Sequence, residues 1–99
     1  MGFFNGMATV NKINQLLKDL ENQVTISQGQ IQSNASRLTL ENSLNTHRKI
    51  HQELINAFAK SATARVSVYK IFGEKLRMDD ILTYSKNLIM NLTAIITKK

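Results

Sequence analysis

The absence of proline from all 99 residues constrains the fold of this chain more than any other feature of its sequence. Proline lacks a backbone N–H and clashes with the preceding turn, so it is the residue that most sharply ends a helix. Its absence favours long, uninterrupted helices. Apolar residues recur at steps of three and four along most of the chain, and this spacing also predicts helices because it gives each helix one apolar face.

The first periodic segment predicts a helix over residues 7–28, with an extension to about residue 33. Its narrow apolar stripe consists of Val10, Ile13, Leu17, Leu20, Val24 and Ile31. Ser27 occupies the next position at which this stripe requires an apolar residue. The following "SQGQIQSNAS" combines Gly29 with Gln, Ser and Asn, which is typical of a helix end and a polar connection. Asn34 and Ser36 are the candidate N-caps of the next helix.

The second segment runs from Ser36 to Gly73 without an internal glycine. A straight helix of this length would be roughly 55 Å long, and the neighbouring helices could not cover it. We therefore expect a kink or turn near Ser61–Thr63, followed by a shorter helix that Gly73 ends. The inward face of that shorter helix is predicted to comprise Val66, Tyr69 and Phe72. The Val-Ser-Val of "RVSVYKIF" also permits a strand, but a lone strand has no partner. If the middle helix instead stays straight, we expect a second copy of the chain to cover its end.

The last segment, residues 78–99, carries the widest apolar face of the chain. Its apolar residues include Ile81, Leu82, Tyr84, Leu88, Ile89, Leu92, Ile95 and Ile96. Asp79 and Asp80 are the candidate N-caps of this helix, while Lys98 and Lys99 suit the negative end of the helix dipole. The whole pattern predicts one all-α domain over residues 1–99. That domain is an antiparallel, up-down bundle of three long helices, or of four if the middle helix breaks near Ser61–Thr63.

The net charge of +6 favours acidic partners such as nucleic acid, an anionic membrane surface or an acidic protein. The excess lies in residues 37–77, and its candidate partner surface consists of Arg48, Lys49, Lys60, Arg65 and Lys70. On a helical projection these side chains spread widely, with Glu41 and Glu53 among them, as on an ordinary solvated face. No aromatic residues alternate with them for base stacking, and no recognition helix is evident.

His47 and His51, the two histidines of the chain, stand four residues apart and share one face of the predicted helix. This spacing allows both imidazoles to reach one metal ion. However, Arg48 stands where a metalloprotease helix has its catalytic Glu, and a third ligand would have to come from Asp79, Asp80 or a second chain. Both histidines fall in line with apolar residues, so we interpret them as semi-buried packing residues. A metal clamp and a pH-sensitive packing element are the alternatives.

No set of catalytic side chains is apparent in the sequence. Cysteine is absent, no serine occupies a G-x-S-x-G turn, the carboxylates are scattered, and no phosphate-binding glycine loop occurs. We therefore expect a protein without catalytic activity, cofactor or small-molecule substrate. Phe3 and Phe4, between Gly2 and Gly6, are predicted to cap one end of the bundle or to form an apolar tip that meets a partner.

The leading hypothesis is a non-catalytic cytoplasmic interaction protein that binds another protein through an apolar groove or associates with itself as a homodimer. It rests on strong helix patterning, on the lack of catalytic chemistry and on a middle segment longer than its neighbours. One alternative is a nucleic-acid-binding accessory protein that uses the basic middle segment. Another is a bacteriocin-immunity-like protein at a membrane face. No signal peptide is apparent, and no apolar run approaches the ~20 residues that cross a bilayer.

Overall fold

The computed structural model describes the backbone of residues 2–99 and the side chains from Gly6 onwards. Its elements are α1 (Gly2–Gln32), α2 (Arg37–Lys60), α3 (Ala62–Val66), β1 (Tyr69–Ile71), β2 (Glu74–Leu76) and α4 (Met78–Thr97). α1 and α4 each pack along α2 and run antiparallel to it. The predicted antiparallel helical bundle is confirmed, with α1, α2 and α4 as its three long helices.

Two polar residues determine the connection between α1 and α2. Asn34 has a φ of 55°, the left-handed conformation in which helices commonly end. Ser36 caps α2, because its Oγ accepts a hydrogen bond from Thr39 N–H at 3.2 Å. Lys99 ties the end of α4 to this connection, since its Nζ donates to Asn34 Oδ1 at 2.7 Å. α1 itself starts earlier than predicted, at Gly2 rather than at residue 7.

The predicted break in the middle segment is confirmed. α2 ends at Lys60, and the Oγ of Ser61 accepts a hydrogen bond from Ala64 N–H at 3.2 Å, which starts α3. The guanidinium of Arg65 turns back and donates to the carbonyl of Phe58 at 2.9 Å. This bond satisfies a carbonyl group that the end of α2 leaves unpaired. The alternative of one straight middle helix is therefore wrong, so no overhanging helix end requires a second copy to cover it.

The predicted short helix up to Gly73 is wrong beyond Val66, because the chain forms a β-hairpin there. β1 and β2 pair antiparallel, with Tyr69 opposite Leu76. The strand forms at Tyr69–Ile71, directly after the Val-Ser-Val stretch that permitted one, and its partner β2 lies one tight turn away. Tyr69 is buried as predicted, whereas Val66 and Phe72 are 69% and 51% exposed instead of facing the core.

Phe72 and Gly73 form the two-residue turn of the hairpin, with φ angles of 48° and 80°. Two successive positive φ values match a type I′ turn, whose twist suits paired strands. The sequence predicted that Gly73 ends a helix, but Gly73 instead forms part of the hairpin turn. A phenylalanine rarely adopts positive φ, because its Cβ crowds the backbone. The Phe72 N–H donates to Glu21 Oε2 at 2.6 Å, and this bond fastens the turn to α1.

The core consists of two apolar clusters that meet at a set of polar residues. The larger cluster comprises Ile13, Leu16, Leu17, Leu20, Val24, Ile50, Leu54, Ala57, Phe58, Ala64, Tyr69, Ile71 and Ile81. The smaller cluster comprises Leu40, Leu44, Leu92 and Ile96. Where the two clusters meet lie Ser27 on α1, His47 and His51 on α2, and Ser85 on α4, which together we call the polar layer. Ser27 is the residue that interrupts the apolar stripe of the first helix.

Candidate functional site

The two histidines of the polar layer contact different helices. His47 Nε2 lies 3.0 Å from Ser27 Oγ on α1, and His51 Nδ1 lies 2.9 Å from Ser85 Oγ on α4. His47 is 2% exposed, and His51 is half-buried. The structure therefore places both histidines in the packing interface of α2. Their bonded ring nitrogens are directed to opposite neighbours rather than to one shared point.

A metal clamp at these histidines has no third ligand in the described part of the chain. Among those residues, no three His, Cys, Asp or Glu side chains lie close enough together to hold a metal ion. Asp79 and Asp80, the carboxylates that could have supplied a third ligand, are exposed in the first turn of α4. The arrangement of His47 and His51 instead suits hydrogen bonds between helices.

Burial disfavours the charged form of both histidines. Burial lowers the pKa of His47 below its ordinary value of 6.5. Burial also lowers the pKa of His51, and the positive charge of Lys86 adds a smaller decrease. Nδ1 of His47 is buried without a hydrogen-bond partner among the described residues. Protonation of His47 would therefore place a charge beside a serine hydroxyl and apolar side chains, where it is poorly stabilised.

A groove with a volume of about 180 Å³ opens between α1 and α4 at the level of the polar layer. It is lined by Val24, Ser27, Gln28 and Ile31 of α1, His47 of α2, and Leu88, Asn91, Leu92 and Ile95 of α4. None of these lining residues carries a formal charge at pH 7. An apolar cavity of roughly 150 Å³ accommodates a benzene molecule. The groove is therefore large enough for one apolar side chain of a partner.

The groove is open because the bundle lacks an element between α1 and α4 at this level. Within residues 2–99, α1 and α4 form no extensive contact of their own. Nearer the start of α1 the hairpin fills the gap, since Tyr69 and Ile71 belong to the same apolar cluster as residues of α1 and α4. The hairpin ends beside Glu21, and the groove begins one helical turn further along α1, at Val24. Ile31 is consequently left 38% exposed.

The structure distributes the five basic residues predicted to form a partner surface over more than one side of the molecule. Lys49 and Lys60 line two separate grooves between α1 and α2, and Lys70 lines a third between α1 and the hairpin. Arg48 is exposed on α2, and Arg65 is bonded to the end of that helix. Nucleic-acid binding through these residues stays a prediction, and the fold does not gather them on one face.

Sequence reasoning missed the contribution of α1 to these surfaces. Lys12 lines the same groove as Lys60, and Lys18 lines the same groove as Lys70. The first segment is neutral overall, so its lysines did not enter the predicted basic surface. The role of Ser27 as a partner of His47 was also missed. Its signal was present, because a serine in an apolar stripe needs a polar neighbour when it is buried.

The predicted apolar tip, Phe3 and Phe4, lies outside the residues whose side chains the structure describes. Within residues 2–99, no helix has both the length and the apolar composition to cross a membrane. Comparison of the chain with protein-family models, with curated proteins and with solved structures finds no match.

Proposed function

We propose that this chain is a non-catalytic interaction protein that binds an uncharged, apolar polypeptide segment in the groove between α1 and α4. The observation that carries this proposal is the open groove itself, which leaves apolar side chains of two helices uncovered. Laying the apolar face of a helix into a hydrophobic groove is a recurring mode of peptide recognition. The segment belongs either to a different protein or to a second copy of this chain.

The lining of the groove defines the chemistry of the segment that it accepts. Apolar walls favour an apolar side chain, because each Å² of apolar surface removed from water contributes about 25 cal/mol. A charged side chain would lose its hydration beside uncharged residues. Gln28 and Asn91 line the groove and remain exposed, so their amides are available to a partner's polar groups.

The dimensions of the groove limit the length of the bound segment. Its lining on α1 extends from Val24 to Ile31, and on α4 from Leu88 to Ile95. Seven residues of helix rise about 10 Å. A partner helix of roughly two turns, or a short extended peptide, matches this length. A groove of about 180 Å³ suits a partner that contributes one anchoring side chain.

A matched pair of variants tests the proposal. Ile31 and Ile26 both lie on α1 and are 38% and 51% exposed, but only Ile31 lines the groove. The wild type, Ile31→Lys and Ile26→Lys would be tagged, expressed in the cells that naturally contain the protein, and purified with their partners. Ile31→Lys should retain the fold, because a cation in the last turn of a helix is favourable.

We expect a partner that co-purifies with the wild type and with Ile26→Lys to be lost from Ile31→Lys. Sedimentation velocity on the same three proteins shows whether that partner is a second copy of the chain. Retention of the partner by both variants would contradict the proposal. So would an absence of any partner together with a monomeric wild-type protein.

A further inference from the structure

A second surface, separate from the groove, lies on the outward side of the hairpin. Side chains alternate along β1, so Tyr69 and Ile71 are buried while Lys70 between them is exposed. Val68 and Phe72 continue the outward line on either side, and each is 51% exposed. Outward faces of antiparallel strands are usually polar where they meet water. Exposed apolar residues grouped at one site indicate an interaction surface.

Lys70 lies within this outward line, and Lys18 and Lys75 are its basic neighbours. Lys70 stands directly opposite Lys75 in the hairpin register, and like charges in this position destabilise a strand pair. Lys18 of α1 and Lys70 line one groove of about 500 Å³ between α1 and the hairpin. Within the described residues, the one ion pair joins Arg37 to Glu41. The three lysines therefore have no carboxylate partner in that part of the chain.

Two carboxylates near the turn, those of Glu21 and Glu74, limit the positively charged area around Lys18, Lys70 and Lys75. Glu21 lines the same groove as Lys18 and Lys70, and its Oε2 accepts the hydrogen bond from Phe72 N–H. Glu74 is exposed on β2, next to the turn. A nucleic-acid strand carries a charge at every phosphate and would meet these carboxylates. A membrane surface is flat, whereas the space between α1 and the hairpin is concave. A short acidic peptide fits both the charge and the shape.

We propose that the hairpin face, formed by Lys18, Val68, Lys70, Phe72 and Lys75, binds an acidic segment of a partner protein. A carboxylate of that segment lies between Lys18 and Lys70, and an apolar side chain next to it packs on Val68 or Phe72. The bound carboxylate also relieves the repulsion between Lys70 and Lys75. This surface goes beyond the groove between α1 and α4, and either proposal stands if the other fails.

Binding of defined probes tests this assignment. A fluorescein-labelled dodecapeptide of alternating Glu and Leu is titrated with the full-length protein and followed by anisotropy. The matched peptide of alternating Gln and Leu has the same apolar content without the charge. A thymidine dodecamer and vesicles of equimolar phosphatidylglycerol and phosphatidylcholine represent the other anionic partners. Lys18→Ala and Lys70→Ala remove lysines of the hairpin face, and Lys49→Ala removes an exposed lysine outside it.

We expect the Glu–Leu peptide to bind more tightly than the other three probes, and its affinity should fall as the salt concentration rises. Lys18→Ala and Lys70→Ala should each lower this affinity by about fivefold, the upper range for one exposed ion pair. Lys49→Ala should leave it unchanged. The proposal is overturned if the Glu–Leu peptide does not bind, or if the Gln–Leu peptide binds equally well. It is also overturned if the oligonucleotide or the vesicles bind more tightly, or if Lys49→Ala weakens binding as much as Lys18→Ala and Lys70→Ala do.

Discussion

His47 Nε2 lies 3.0 Å from Ser27 Oγ, and this contact joins α2 to α1 while leaving the other ring nitrogen of the buried imidazole without a partner. Ser27 Oγ also accepts a hydrogen bond from Gln23 Nε2 at 3.3 Å, and the hydroxyl keeps both a proton and a second acceptor site for His47 Nε2. In either tautomer of the neutral imidazole, Nδ1 meets no hydrogen-bond partner among the described residues. The polar layer thus contributes a specific contact between helices and one unsatisfied buried ring nitrogen.

Ser27→Ala should lower the free energy of unfolding by about 1–3 kcal/mol, because it leaves a second nitrogen of the His47 imidazole unsatisfied. Combining it with His47→Leu should recover most of this loss, since both polar partners are then replaced by apolar groups. Urea denaturation followed by circular dichroism measures both changes. Ser33→Ala, at an exposed serine near the end of the same helix, serves as the control and should change stability by less than about 0.5 kcal/mol. His47→Leu alone is measured as well. A double variant whose loss of stability equals the sum of the losses in Ser27→Ala and His47→Leu would contradict this account.

The two histidines should make the fold less stable in acid. Because folding lowers the pKa of both below 6.5, the unfolded chain binds more protons than the folded one below about that pH. The stabilising contribution of the neutral histidines to the free energy of unfolding is complete above about pH 6.5. It is lost as the pH falls, by up to about 1.4 kcal/mol per pH unit for each histidine. Thermal melting between about pH 7.5 and about pH 5 measures it, in the range where carboxylates remain largely ionised.

The variant His47→Gln with His51→Asn separates titration from hydrogen bonding. Gln and Asn replace the bonded Nε2 and Nδ1 by amide groups in similar positions, and neither side chain titrates. The pH dependence of the melting temperature should therefore flatten in this variant. If its slope equals that of the wild type, other groups cause the acid sensitivity.

Two glycines should respond to alanine with opposite signs. Gly73 has a φ of 80°, and a Cβ added there meets no atom within 4 Å, so the cost of Gly73→Ala is backbone strain of about 1 kcal/mol. Gly29 lies within α1, and a Cβ there also meets nothing, so Gly29→Ala should stabilise the fold by about 0.5–1 kcal/mol. Thermal melting gives both values. A Gly73→Ala variant at least as stable as the wild type would contradict the type I′ turn at Gly73.

Tyr69 tests the docking of the hairpin on the bundle. Its hydroxyl donates to Ala64 O at 2.9 Å, and its ring meets that of Phe58 edge to face at 5.8 Å between centroids. Tyr69→Phe removes only the hydrogen bond and should cost about 1 kcal/mol of unfolding free energy. Tyr69→Leu also removes the aromatic contact and should cost about 0.5–1.5 kcal/mol more. Equal costs in urea denaturation would show that the ring contact contributes nothing.

The long helices could be predicted from the sequence because their information is local. Periodic apolar residues define α1, α2 and α4, and the small polar residues after Lys60 indicated the break that Ser61 makes. The gap in the stripe at Ser27 was visible in the sequence, but its place in the polar layer was not predicted. What faces His47, however, depends on how α1 docks on α2. That register is set by packing along the whole helix, so the sequence left several interpretations of the histidine open.

The sequence did not predict the hairpin because it lacks the turn residues and the long alternating strands that most strongly indicate one. Type I′ turns favour Asn-Gly or Asp-Gly, and this chain has Phe72–Gly73 instead. Each strand has only three residues, too few to show a clear alternation. The groove was predicted only as a class of surface, because its position depends on where the hairpin stops between α1 and α4. The position of the groove thus depends on packing between segments that are distant in sequence, and local sequence patterns do not predict such packing.

The central claim, that the groove between α1 and α4 is a docking site, is tested most directly by photocrosslinking in the cells that contain the protein. Gln28 is exposed and lines the groove, whereas Asn45 is exposed on α2 outside it, so each is replaced in turn by a benzophenone amino acid. We predict a crosslinked product at position 28 that is absent at position 45 and is lost when Ile31→Lys is added. Equal crosslinking at both positions, or none at position 28, would contradict the claim.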